Sequence, residues 1–367
     1  MSRSGHDGAA MEEGPLVQYT ATADGFSIAY WTLGEGPPIV QLPAIPYSHI
    51  ALEWEQPRLR RTYELLAAQL RLVRYDGRGL GLSQRDVMSF SLETMLADLD
   101  AVVNALDAPQ VTLLGVINSG AVAIAYAARH PERVSQLVLW CPVVDGSVHV
   151  NNPRLQAVRQ VLETDWELYT RTVAHSLLGW TESDAALQFA EYIRAGITQD
   201  TARQLVPEIL KLNVWDDLPR VRCPTLILHR PTLPLFPTGV MERVAGGIPN
   251  AQLALMDGDS AVPWLGDWRA LPRIVYRFLG LTPFSAAGRT RALKLLSMRQ
   301  QSLTPREREI VDFVVRGLTN RQIAEELFLS EKTVENHIGR ILVKTDLPSR
   351  TRLAAYAIEN GLVSKSA

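Results

Sequence analysis

The amino-acid sequence predicts a two-part chain, an α/β domain interrupted by an all-helical insert and then a small all-α unit. Three observations predict it. Short apolar runs alternate with stretches of helical periodicity from residue 25 to about 145, and the alternation resumes at 224. Between about 147 and 215 the strand pattern stops and large aromatics gather on helical spacing. Beyond 302, helix-start signatures follow one another closely. A length of 367 residues suits two domains.

Taken in order, residues 38–42, 70–75, 111–114 and 137–140 are short apolar runs with the look of strands buried on both faces. Such strands belong to a parallel sheet covered by helices on each side. Between them, Leu92, Met95, Leu96, Leu99, Val102, Val103 and Leu106 recur at helical spacing. An alanine-rich helix follows Gly120 and closes before Pro131. The insert carries Trp166, Tyr169, Trp180, Phe189, Tyr192 and Trp215. Strand patterns return at 224–228 and 252–256, and a last helix over 271–279 ends at Gly280. The stretch 284–301 holds four basic residues and no acid, and reads as a linker.

Composition narrows the function classes. Hydrophobic residues make up 47% and charged residues 21%, which describes a soluble globular protein. Cys141 and Cys223 stand 82 residues apart without metal-ligand spacing, so no metal and no cofactor is expected and a reducing compartment is. No run of about 18 apolar residues and no signal-peptide core is visible, hence no membrane and a cytoplasmic location. The net charge of −2 conceals a split. Residues 285–367 hold 14 basic and 9 acidic residues, a net +5, against 23 and 30, a net −7, in the rest.

Asp76-Gly77-Arg78-Gly79-Leu80-Gly81-Leu82-Ser83 follows a strand, but no dinucleotide fingerprint is completed around its glycines. Its neighbours point elsewhere. Leu113-Leu114-Gly115-Val116-Ile117-Asn118-Ser119-Gly120, an Ala-rich helix, His130-Pro131-Glu132-Arg133-Val134 and the late Pro263-Trp264 together resemble the α/β-hydrolase family over about residues 15–283. The resemblance implies an α/β-hydrolase-like sheet, with the insert of about 147–215 as its lid.

The family's chemistry does not carry over. In its Gly-x-Ser-x-Gly turn a serine is the nucleophile, followed along the chain by an acid and a histidine. Here Ile117 stands at the nucleophile position, Leu233 is the nearest match to the acid, and Ala261 takes the histidine's place. After His229 the sole histidine is His337, outside this domain, so the chain order acid-then-histidine has no solution. No catalytic residue is therefore assigned, and the domain is read as a pseudo-hydrolase. A shifted triad through Ser119 with His49 and Asp257 or Asp259 is the competing enzyme reading, although a hydroxyl at 119 is better placed to bond nearby backbone. A β-branched residue at the turn would either relax its backbone or keep a costly positive φ. An apolar site under an aromatic lid suits a small hydrophobic effector. Ile45, Tyr47, Ile117, Asn118, Trp166, Tyr169, Trp180, Leu233 and Ala261 are its candidate contacts. The opposite outcome is a filled core, leaving a dimerisation or docking platform.

The segment Leu303-Thr304-Pro305-Arg306-Glu307, Gly317-Leu318-Thr319-Asn320-Arg321-Gln322-Ile323-Ala324 and Leu329-Ser330-Glu331-Lys332-Thr333-Val334-Glu335-Asn336-His337 resembles the LuxR-type helix-turn-helix family over about 302–367. Four short helices are expected, with Val334, Ile338, Ile341 and Leu342 facing inward. The resemblance implies a double-stranded DNA operator as partner, a homodimer on paired half-sites, and nucleoid association when bound. Lys332, Thr333, Asn336 and Arg340 are left for base edges, and Lys344, Arg321 and Arg350 for phosphates. Glu335, a carboxylate that would repel phosphate, either accepts from cytosine or supports Arg340, and stays unassigned. The fusion implies a ligand-sensing transcriptional regulator.

Overall fold

The computed structural model describes residues 14–282 and 305–359, apart from 88, 151, 179–182, 234, 266 and 346–349. It divides into Met1–Pro283 and Phe284–Ala367. Each unit is described by itself.

The first unit is built on one eight-stranded sheet in the order β1-β2-β4-β3-β5-β6-β7-β8. The strands are β1 Gln18–Ala21, β2 Ser27–Leu33, β3 Pro38–Gln41, β4 Arg71–Tyr75, β5 Val111–Val116, β6 Val134–Trp140, β7 Thr225–His229 and β8 Ala251–Leu255. From β4 through β8 all pairings are parallel. The β1–β2 and β2–β4 pairs are antiparallel, which corrects the wholly parallel sheet expected from the sequence. β1 was missed because it is an edge strand exposed at three of its four residues, so it lacks the apolar run that marks a buried strand.

Eleven α-helices accompany the sheet among the described residues. Beneath it and around it lie α1 Ile50–Glu55, α2 Pro57–Ala67, α3 Leu92–Asn104, α4 Ser119–Arg129, α10 Thr238–Gly247 and α11 Ala270–Phe278. All residues of α4 from Ser119 to Ala128 are buried, which explains its small side chains. A Cβ on Gly115 would come within 2.9 Å of the Gly120 Cα, so the strand and the following helix touch backbone to backbone. The insert folds as α5 Ser147–Val150, α6 Pro153–Thr164, α7 Trp166–Leu178, α8 Ser183–Gly196 and α9 Gln199–Lys211. Among its described residues the regular elements are all helices, as its periodicity predicts.

A buried polar network ties the insert to the sheet. The Arg74 guanidinium meets Glu53 at 2.6 Å, and both side chains are almost fully buried. Tyr63 donates to Glu53 at 2.7 Å. Tyr192 of α8 donates to the same carboxylate at 3.0 Å and accepts from the His49 backbone at 3.1 Å. Two charges buried this way need every available hydrogen bond to offset their lost hydration.

In the second unit α12 Pro305–Val315, α13 Asn320–Leu327, α14 Glu331–Thr345 and α15 Arg350–Glu359 enclose one core. Val334, Ile338 and Ile341 are buried in it, with Leu342 packed against it, as the periodicity of α14 requires. Thr319 and Gln322 form the capping box read from the sequence. Ser330 accepts from the Thr333 amide at 3.1 Å, so the third start signal caps its helix too. Thr304 lies outside the described residues. Between α13 and α14 the chain turns through Phe328, at φ 53°.

Candidate functional site: the turn after β5, the lid contacts and the second helix-turn-helix element

The turn between β5 and α4 keeps the geometry of a nucleophile elbow. Ile117 has φ 53°, inside the left-handed region that β-branched residues avoid. Of the two outcomes expected for its backbone, the strain is the one retained. Packing holds it there: Ile117 donates to Trp140 at 2.9 Å and accepts from Val143 at 3.0 Å, so both its backbone groups are committed to β6 and the residues after it. Ser119, fully buried, accepts from the Val116 amide at 2.9 Å and donates to the Val116 carbonyl at 3.0 Å. It is a local backbone brace, as expected of a hydroxyl in that place.

Leu233 and Ala261 are both packed. Leu233 is 6% exposed and closes a turn onto Arg230. Ala261 is 2% exposed; its amide donates to Leu177 of α7 at 2.9 Å, and its carbonyl accepts from the Trp140 indole at 2.8 Å. Of the residues a shifted triad would recruit, His49 caps α1 by accepting from Leu52, and Asp257 and Asp259 are exposed. His229 is buried, with Nε2 3.1 Å from the Thr238 hydroxyl and Nδ1 3.8 Å from the Cys141 sulfur. Burial lowers its pKa below the ordinary histidine value and pushes the Cys141 thiol up to about 11. A protonated thiol beside a neutral imidazole is no ready nucleophile.

Sequence reasoning overlooked Arg230. Its guanidinium is 1% exposed and donates to the carbonyls of Ser260, Val262 and Leu265 at 2.7, 3.1 and 2.8 Å, while lying over the Trp140 ring. These bonds fix the loop around Ala261. The signal was in plain view: an arginine in the window searched only for an acid.

The lid side brings several expected residues together. The hydroxyls of Tyr47 and Tyr169 lie 2.9 Å apart, joining the segment after β3 to α7. Burial, then the partner hydroxyl, raises Tyr47 well above the usual phenol range, so the pair stays neutral. Trp166 stacks on Tyr169 with centroids 5.5 Å apart. Asn118 donates from Nδ2 to the Ile45 carbonyl at 2.9 Å, and its Oδ1 is buried without a partner among the described residues. Trp180 lies outside the described residues.

On α14 the exposed side chains include Lys332, Glu335 and Asn336, with Thr333 half-buried. Lys332 and Glu335 form an ion pair at 3.0 Å. Arg321, on α13, pairs with Glu325 at 3.1 Å. The side chains of Arg340 and Lys344 lie outside the described residues. Arg350, expected at a phosphate, donates to Asn320 Oδ1 at 2.6 Å and to the Leu318 carbonyl. The reason is that α15 brings it against the start of α13, where backbone and amide oxygens await a donor.

Residues 59–252 match the family "Serine aminopeptidase, S33", and residues 301–357 match "Bacterial regulatory proteins, luxR family". The chain belongs to the S33 α/β hydrolases and carries a luxR-family domain. The α/β-hydrolase unit is 30% identical over 263 residues to a Synechocystis protein named "Putative non-heme chloroperoxidase", covering 67% of this chain and 91% of that one. Its fold is similar to that of an esterase from Exiguobacterium antarcticum, with a TM-score of 0.63 at 19% identity, over 72% of this chain and all of the other. The luxR-family unit is 47% identical over 68 residues to the transcriptional regulatory protein LiaR of Bacillus subtilis. That match covers 18% of this chain and 32% of LiaR, so the chain spans about a third of that regulator's length. The protein is thus a LuxR-type DNA-binding regulator joined to a hydrolase-fold domain. Among the described residues no helix is long and apolar enough to cross a membrane.

Proposed function

We propose that the hydrolase-fold unit is a catalytically silent receptor for a small hydrophobic effector bound beneath the lid, and that occupancy alters operator binding by a homodimer. The observation carrying this reading is Ile117 at φ 53°. The elbow geometry is preserved where the reacting atom has been replaced by hydrocarbon, with Leu233 and Ala261 completing the replacement. A carboxylate or imidazole at any of those positions would hold water; three apolar side chains do not. The stacked Trp166–Tyr169 pair and the Tyr47–Tyr169 hydroxyl contact supply apolar and polar groups of the kind that ligand sites use.

Two measurements on the full chain test it. A serine-reactive fluorophosphonate leaves the protein unlabelled; labelling retires the silent domain. Material extracted from the purified protein, identified by mass, shifts affinity for a duplex selected from random sequence by fivefold or more. Reciprocity then requires the duplex to shift effector affinity by the same factor. Identical DNA affinity at saturating effector sinks the receptor.

A further inference from the structure

The DNA-reading helix presents a carboxylate where a phosphate-rich partner should repel it. Glu335 is exposed on α14, beside the exposed Asn336 and three residues after Lys332. It is held in place: its Oε2 accepts from Lys332 Nζ at 3.0 Å. Its other carboxylate oxygen makes no hydrogen bond among the described residues and is left to accept.

The major groove offers such an oxygen two donors, the N4 amino group of cytosine and the N6 amino group of adenine. Adenine N6 stands between its own N7 and thymine O4, both acceptors that repel a carboxylate, whereas cytosine N4 is flanked on its own ring by an apolar C–H, so cytosine is the better partner. We propose that Glu335 specifies a C·G pair in the operator by accepting from cytosine N4, with Lys332 neutralising it as it enters the groove. Asn336, one residue on and also exposed, is free to take the adenine edge of a neighbouring pair. Holding Glu335 against Lys332 has a second effect. The pair brings no net charge to the duplex, so Lys332 releases little counterion and its contribution to affinity is carried by specificity instead.

The test is selection from random duplex DNA with the full chain, comparing the unaltered protein with Glu335→Ala, Glu335→Lys and Glu335→Gln. The position is exposed, and circular dichroism confirms that each variant is folded. The unaltered protein selects cytosine at one position of each half-site, at fivefold or more over any other base, with thymine the least accepted. Glu335→Ala reduces that preference below twofold and leaves neighbouring positions unchanged. Glu335→Lys moves the preference to guanine and steepens the fall of log affinity with log salt by about 1 to 2. Glu335→Gln, which keeps the shape but adds a donor, admits adenine. An unchanged consensus in Glu335→Ala overturns the proposal even if the salt slope changes, because Glu335 then only tunes the local charge. Enrichment of no sequence by the unaltered protein at low salt overturns it as well.

Discussion

Replacing Ile117 by alanine and by glycine reverses the usual order of those two residues. At φ 53° a Cβ sits in the left-handed region, at a cost of about 1–2 kcal/mol relative to glycine. Against this, glycine loses about 0.5–1 kcal/mol more backbone entropy on folding. Both variants delete the same half-buried side chain beyond Cβ, so the burial loss cancels between them. Ile117→Gly therefore comes out more stable than Ile117→Ala by about 0.5–1 kcal/mol. Ala123, buried in the middle of α4, is the control. There glycine is worse by about 1 kcal/mol or more. Urea unfolding followed by tryptophan emission reads this unit inside the intact chain, because all eight tryptophans, at 31, 54, 140, 166, 180, 215, 264 and 268, precede residue 283. With a denaturant slope of about 3 kcal/mol/M the midpoints differ by roughly 0.2–0.3 M. An alanine variant as stable as the glycine variant would refute the retained elbow.

Three further outcomes are expected. Glu53→Gln strands the buried Arg74 guanidinium and costs about 3–5 kcal/mol, read as a lower urea midpoint; a loss under 1 kcal/mol contradicts the network around Tyr192. Cys141 and Cys223 are both buried, with thiols pushed up to about 11, so a thiol reagent modifies them at neutral pH only as fast as the unit unfolds, and prompt stoichiometric labelling contradicts this. Asp98, buried against Arg78, is raised by its burial to about 6 from an ordinary 3.8. Its contribution is complete below 3.8 and is lost as pH rises through 6, so the stability difference between the protein and Asp98→Asn shrinks over that window. A difference that grows there means the ion pair with Arg78 outweighs burial.

How much of this was legible beforehand depended on what kind of force placed each residue. Buried strands such as β5 and β7 and the helix α13 announce themselves, because hydrophobic periodicity and capping chemistry are local. That no histidine follows His229 within the first unit was also readable, since chain order alone shows it. The edge strand β1 was not, because its partner β2, and not its own pattern, makes it a strand. Nor was the role of Arg350 or Arg230: an arginine's charge is visible in a sequence, whereas the carbonyls that capture it are assembled from segments about 30 residues away. The persistence of positive φ at Ile117 was undecidable in one dimension, because the bonds enforcing it come from β6 and the residues following it.

Arg230 bears on what position 261 can hold. Its carbonyl partners at 260 and 262 flank Ala261. A histidine introduced at 261 would take up a proton close to this buried cation, which disfavours its charged form. Freeing the site of that cation would in turn unpin the loop from Trp140 and from α7. One guanidinium thus couples the charge that position 261 can carry to the anchoring of its loop, so that neither can be altered without the other.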